Sequence, residues 1–283
     1  MFNIFKSGML IIIMTGLMIL VGGAFGGRDG AMLFFVISMG FNLLSYLYSD
    51  KLVIKMYRAQ KADKIRYAKL HSIIEELSNR AELPKVPDLY IVPLDAPNAF
   101  ATGRSPKKAV VAVTTGLLNS MNEDEIAAVI AHELGHIKHW DMLISTIVAS
   151  MASAIMWLGY IARWGAIFGL GGSDDDDGGG ILGLLFAAII APLAATMVQL
   201  AVSRSREYMA DDFSAQIMGS GKPLINALYS LHGQSQRRVK GNAISPATAH
   251  MFIFPSSLGK GMMKLFSTHP SLEDRVANLE RSS

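Results

Sequence analysis

Long uncharged runs alternate with two mixed segments along this chain. Ser7 to Gly27, Ala31 to Ser49, Met142 to Ala162 and Gly178 to Ser203 contain no charged side chain. Each reaches the roughly 20 residues that carry an α-helix across a hydrocarbon core. The pattern predicts four membrane-spanning helices, an N-terminal pair within 1–50 and a hairpin at 142–203. Between them, Lys55 to Ala81 lacks Gly and Pro and repeats Ile65, Leu70, Ile73, Ile74 and Leu77 at helical spacing, which predicts one amphipathic helix. The texture then changes. Leu89 to Val92, Ala99 to Thr102 and Ala109 to Val113 are short apolar or β-branched runs separated by Pro, Asp, Asn, Gly and Ser, the signature of a small sheet. Asn122 followed by Glu125 forms a capping box that opens a helix through Ile126, Val129, Ile130 and Leu134.

Composition agrees with the spans: of 283 residues, 51% are hydrophobic and 17% charged, too apolar for an ordinary soluble domain. The first run is too long for the apolar part of a secretion signal and is followed at once by a second, so a retained anchor is expected. Cysteine is absent, which excludes disulfides and thiolate metal sites. Any metal must be held by His, Asp or Glu.

Charge gives an orientation. Lys51, Lys55, Arg58, Lys61, Lys64, Arg66 and Lys69 follow the second run, whereas the 142–203 hairpin turns through GGSDDDDGGG. By the preference of basic loops for the inner side, segments 51–141 and 204–283 and both termini are expected in the cytoplasm. Arg28 and Arg163 are exceptions at the outer ends. The net charge of +3 is mild and its basic excess lies beside the membrane, so the expected partner is an anionic lipid surface and not nucleic acid. The DDDD run is expected to be a solvated loop, since calcium ligands normally alternate with spacers.

Within the capped helix stands AHELGHIKHWD, residues 131–141. His132 and His136 lie four apart and share a helix face, so both imidazoles can approach one cation, with Glu133 about 100° around the axis and able to reach water there. This is the pattern of zinc-dependent hydrolysis. His139 falls on the same stripe, but a rise of about 10 Å from His132 keeps it from the same ion. The metzincin spacing also fails, because its glycine and third histidine would fall on His139 and Met142. SRSREYMADD, residues 203–212, follows the last span on the same side. Spacing alone leaves two readings of its acids: Glu207 as third ligand with Asp211 behind a histidine, or acids paired with Arg204 and Arg206 on a solvated helix.

These motifs resemble the gluzincin membrane proteases, the family of the HtpX-type heat-shock proteases and the CAAX prenyl proteases. The resemblance covers nearly the whole chain: PNAFATG at 97–103, HELGH at 132–136, EYMAD at 207–211 and THPSLEDR at 268–275, with spans in the HtpX arrangement. It implies one zinc ion per chain on His132, His136 and Glu207, Glu133 as general base and Asp211 as support. It also implies an edge strand at Asn98, Ala99 and Phe100 that pairs with substrate, and His269 and Arg275 lining the site. His269 has a plainer reading as a helix-entry residue before Pro270. The fold implied is an α+β membrane protein: four transmembrane helices and a mainly helical, zincin-like cytoplasmic domain with a small β-sheet, assembled from 51–141 and 204–283.

The function expected is a zinc endopeptidase of protein quality control in a bacterial or archaeal inner membrane, cleaving misfolded membrane or unfolded proteins. HELGH ends shortly before the third span and Glu207 follows shortly after the fourth, which puts the site beside the inner surface. Two alternatives remain: a processing protease with one prenylated or peptide substrate, and a non-catalytic scaffold with structural zinc. Glu133 weighs against the second, since structural zinc needs no general base.

Overall fold

The computed structural model describes residues 2–142, 204–235 and 270–281, with part of the side chains of the first helix. The described elements are, in order, α1 (Phe2–Met56), β1 (Gln60–Lys61), α2 (Ala68–Arg80), β2 (Asp88–Val92), β3 (Ala99–Gly103), β4 (Ala109–Thr114), α3 (Thr115–Ser120), α4 (Glu123–Lys138), α5 (Arg204–Met218), α6 (Lys222–Ser235) and α7 (Leu272–Arg281). The architecture is mainly helical with one small mixed sheet.

Helix α1 folds back on itself. Ser38 Oγ donates to Thr15 Oγ1 at 3.3 Å, although 23 residues separate them. On a straight helix that interval would span about 35 Å. The reversal passes through Gly27 at φ +56, and a Cβ on Gly22 would fall 2.4 Å from the carbonyl oxygen of Gly30. A left-handed residue at the bend and two bare backbones facing each other are both tasks for glycine. Along the two arms large apolar side chains point outward, Ile12 and Leu20 each 72% exposed and Met32 69%. Such a surface needs an apolar environment. Among the described residues no helix is long and apolar enough to cross a membrane. The hairpin expected at 142–203 lies, apart from Met142, outside the described residues.

The helix expected over Lys55 to Ala81 is interrupted. Arg58 takes φ +51 after α1, and Gln60 and Lys61 pair with Ile91 and Tyr90 as an edge strand. Asp63 then accepts from the backbone N–H groups of Ile65 and Arg66, closing a turn. Only from Ala68 does the helix run, burying Leu70, Ile74 and Leu77, while Ile65 stays 89% exposed.

The sheet has the order β1-β2-β4-β3, with β2 and β4 parallel and the other pairs antiparallel. Strands β2, β3 and β4 agree with the three expected runs to within one residue at each end, and β1 is additional. One face, with Ala99, Ala101, Val111 and Val113, packs on Ile126, Ile130 and Leu134 of α4. On the other face Phe100, Val92 and Ala112 meet Val53 near the end of α1, with the Tyr57 ring 5.7 Å from that of Phe100. That second cluster fixes the edge strand β3 against the N-terminal hairpin.

Candidate metal centre

Helix α4 is set by its cap. Asn122 Oδ1 accepts from Glu125 N at 3.0 Å, and Asn122 N donates to Glu125 Oε2 at 3.0 Å, which satisfies two backbone donors that a helix start otherwise leaves open. Glu123, Asp124 and Glu125 in the first turn complement the helix dipole. The helix is then almost wholly buried, so His132 and Glu133 are held at 1% and 5% exposure.

Helix α5 lies against α4 at Gly135. A Cβ there would sit 3.1 Å from Ala210 Cα and 3.2 Å from the Phe213 ring, so the absence of a side chain sets how near the helices come. Ser214 Oγ donates to Ala128 O at 2.9 Å and fixes the register. The contact brings Glu207 Oε1 to 3.6 Å from His136 Nε2 and Glu207 Oε2 to 3.8 Å from His132 Nε2. The two Nε2 atoms are 3.2 Å apart. One ligand atom from each of His132, His136 and Glu207 lies within 4.8 Å of the others.

Each histidine turns its other nitrogen to a carboxylate. His132 Nδ1 is 2.9 Å from Asp211 Oδ1, and His136 Nδ1 is 3.1 Å from Asp141 Oδ2. This arrangement fits a zinc ion: with Nδ1–H donated to an acid, the Nε2 lone pair is left to face the metal. Two imidazoles and one carboxylate also leave a coordination position for water or substrate.

The chain resembles known proteins along almost its full length. The model of peptidase family M48 matches residues 64–283. The chain belongs to peptidase family M48. Among its relatives, a protease HtpX homolog of Desulfatibacillum aliphaticivorans is 51% identical over 278 residues, covering 98% of this chain and 89% of the relative. Another, from Thermococcus kodakarensis, is 48% identical over 278 residues, covering 98% and 94%. The crystal structure of S. mikatae Ste24p shares the fold with a TM-score of 0.52 at 21% identity; the match takes in 96% of this chain and spans 63% of that one. Membership of M48, with the His132, His136 and Glu207 cluster, makes the chain a membrane-anchored zinc metalloprotease.

Beside the M48 ligand cluster, Glu133 Oε2 accepts from Ala101 N at 2.8 Å. The acid therefore sits at the free edge of β3, where Ala101 turns its N–H away from β4. Burial pushes the Glu133 carboxyl above its ordinary range, against the opposing pull of His136 and His132. Burial also works against charge on His136, but Asp141, Glu207 and Glu133 outweigh it and raise its pKa to about 9 in the metal-free protein.

The remaining expected site residues fall in different places. Asn98 is buried, its backbone N–H on Thr114 Oγ1 at 2.9 Å and its carbonyl accepting from Thr114 N. Ala99 shares the core-facing side of β3 with Ala101, and the Phe100 ring points the opposite way. Arg275 is buried behind His132, its Nε on Asp211 Oδ2 at 2.8 Å and its Nη1 3.7 Å from Glu207 Oε2. His139 stacks edge-on with Phe213 at 5.7 Å. His269 lies outside the described residues. Asp141, to which no spacing rule gave a role, and Arg206, expected only as a partner of the acids on a solvated helix, are both buried site neighbours; the signal in the sequence was an acid immediately before the uncharged hairpin segment and a base three residues after it.

Proposed function

We propose that this M48 metalloprotease cleaves unfolded and misfolded protein segments, including loops of membrane proteins, at the cytoplasmic face of a bacterial or archaeal inner membrane. The observation that carries the reading is the 2.8 Å contact between Glu133 and the backbone of Ala101, which puts a titratable acid on the unpaired edge of a sheet. An extended segment added to that edge would present its peptide bonds beside both the acid and the ligand cluster. Recognition by main-chain hydrogen bonds is tolerant of side chains, as clearance of unrelated unfolded chains requires.

In this reading His132, His136 and Glu207 hold the zinc ion. When bound, the metal supplies a Lewis acid that polarises the scissile carbonyl and makes water more acidic. Glu133 takes the proton from the attacking water and returns it to the leaving amine, a shuttle suited to a carboxyl whose pKa is raised by burial. Asp211 fixes the tautomer of His132, and Arg275 holds Asp211. The backbone of Asn98, Ala99 and Phe100 pairs with substrate, and His269 steadies the developing oxyanion.

The domain plan supporting this function is an anchor at 1–50, a catalytic domain from 51–141 and 204–283, and a membrane hairpin at 142–203. Four spans with both termini inside follow from the uncharged runs and the basic segment after the second. The fold-back of α1 is what two closely linked spans need. Anionic lipid beside the basic segment is the second partner.

The test is cleavage of an unfolded protein by detergent-purified wild type and Glu133→Gln, each reloaded with zinc after chelation. Zinc-dependent cleavage by the wild type, with a loss of about 10²-fold or more in the variant at unchanged zinc content, is expected. Equal cleavage by both would remove Glu133 from the mechanism. A wild type that cuts one tail and spares unrelated unfolded chains would replace this reading with a processing protease.

A further inference from the structure

The two histidines of the ligand cluster are supported in parallel, and only one support was expected. Asp211 stands behind His132; Asp141, 3% exposed, stands behind His136, with its Oδ2 3.1 Å from Nδ1. Had α4 continued, residue 141 would lie about 140° around the axis from residue 136 and could not face it. The helix instead ends at Lys138, and Trp140 takes φ +64. That conformation is uncommon for a bulky residue and costs on the order of 1 kcal/mol or more, so the surroundings must hold it in place. Its effect is to turn the chain back and deliver Asp141 beneath the imidazole. Next in sequence, Met142 is 2% exposed and closes the turn against the core. Arg206, 5% exposed at the start of α5, lies within electrostatic reach of both Asp141 and Glu207. The acid is thus buried with a cation beside it, as Asp211 is with Arg275.

We infer that Asp141 is a positioning residue for the metal site: it accepts the Nδ1–H of His136, selects the tautomer that leaves Nε2 free, and fixes the ring toward His132 and Glu207. This rests on the zinc reading given above. Asp141 touches neither substrate nor metal; it acts through His136. Because it is also the residue that joins α4 to the uncharged segment beginning at Met142, it couples the orientation of a ligand to the entry of that segment. The left-handed turn at Trp140 is the local conformation that makes the coupling possible.

The experiment is a zinc titration of the full chain in detergent against a chromophoric chelator, comparing wild type, Asp141→Ala and Asp141→Asn, with the melting of each zinc-free form as control. Asp141→Ala is expected to weaken zinc binding by about 10- to 100-fold. Asp141→Asn keeps an acceptor oxygen and is expected to recover most of that loss, and the cobalt-substituted forms should show the wild-type absorption spectrum for Asn and a changed one for Ala. A purely structural role would lower the melting temperature of the zinc-free variants without separating Asn from Ala in zinc affinity, and that result would overturn the assignment. Wild-type affinity in Asp141→Ala would overturn it as well. If the alanine form does not fold, Asp141→Asn with zinc affinity reduced as far as in a His136→Ala control does the same, because the acceptor would then be irrelevant. Failure of the wild type itself to bind zinc overturns the metal reading first and this inference with it.

Discussion

Arg275 Nε donates to Asp211 Oδ2 at 2.8 Å across 64 residues of sequence, with both side chains buried to within 1% of complete. Its Nη2 donates to the second carboxylate oxygen, so the pair is bidentate. Burial alone would raise the Asp211 carboxyl, but the charge and hydrogen bonds of Arg275, and then His132, outweigh it and hold it below its usual range. The same carboxylate accepts from His132, so helix α7 reaches the ligand cluster through Asp211 as well as through the approach of Arg275 Nη1 to Glu207 Oε2 at 3.7 Å.

Removing the cation should therefore be costly. Arg275→Met leaves a buried carboxylate with one partner and is expected to destabilise the fold by about 3–5 kcal/mol. Arg275→Lys keeps charge but not the fork, and should fall between. Thermal melts with and without zinc check this; a Met variant as stable as the wild type would refute it.

Gly135 sets the distance between α4 and α5. Gly135→Ala would press a methyl against Ala210 Cα at 3.1 Å, at a cost of about 1–3 kcal/mol, and move Glu207 away from the histidines. Weaker zinc binding in the chelator competition, with the capping box at Asn122 intact, is expected. Unchanged zinc affinity would show that the contact yields elsewhere.

The zinc-free protein should bind metal with a marked pH dependence. The folded pKa of His136 is about 9, above the ordinary 6.5, so His136 carries a proton that zinc must displace. Affinity is expected to rise with pH from near neutrality and to level off above about 9, with close to one proton released per zinc at the lower end. The stability that this charged histidine gives the zinc-free fold has the opposite sign: it is fully present below about 6.5 and is lost as pH rises through about 9. Calorimetry in two buffers of different ionisation heat counts the protons; none released would disprove the assignment.

An extended substrate implies selection by unfolding. A compact protein should resist cleavage while its denatured form is cut readily, because in the proposed reading substrate pairs with the edge of β3 as an extended strand. Rates measured on one protein before and after denaturation decide the matter, and equal rates would sink the idea.

Much of the site was legible in the sequence because it is local. The cap at Asn122 and the spacing of His132 and His136 follow from helical periodicity, which also puts Glu207 and Asp211 four apart on one later helix but left their role open until the family resemblance supplied it. Strands β2, β3 and β4 were legible because each is a short local run. What escaped depended on single departures from regular geometry. Arg58 at φ +51 and the two-residue strand β1 broke a helix that periodicity extends without interruption to Lys55. Trp140 at φ +64 brought Asp141 to His136, and no spacing rule anticipates a left-handed tryptophan. Arg275 lay too far along the chain for any periodicity to reach, and only the family resemblance pointed to it.

The close contact at Gly135 joins chain segments that are made at different times. As the protein is synthesised, His132, Glu133 and His136 emerge first, Glu207 and Asp211 later, and Arg275 last. A growing chain that has reached only residue 206 holds two histidines and a base but lacks the third ligand, and one that ends before 275 lacks the cation that steadies Asp211. With His132, His136 and Glu207 as the ligands, the cluster can be completed only after the whole of 142–203 has been made.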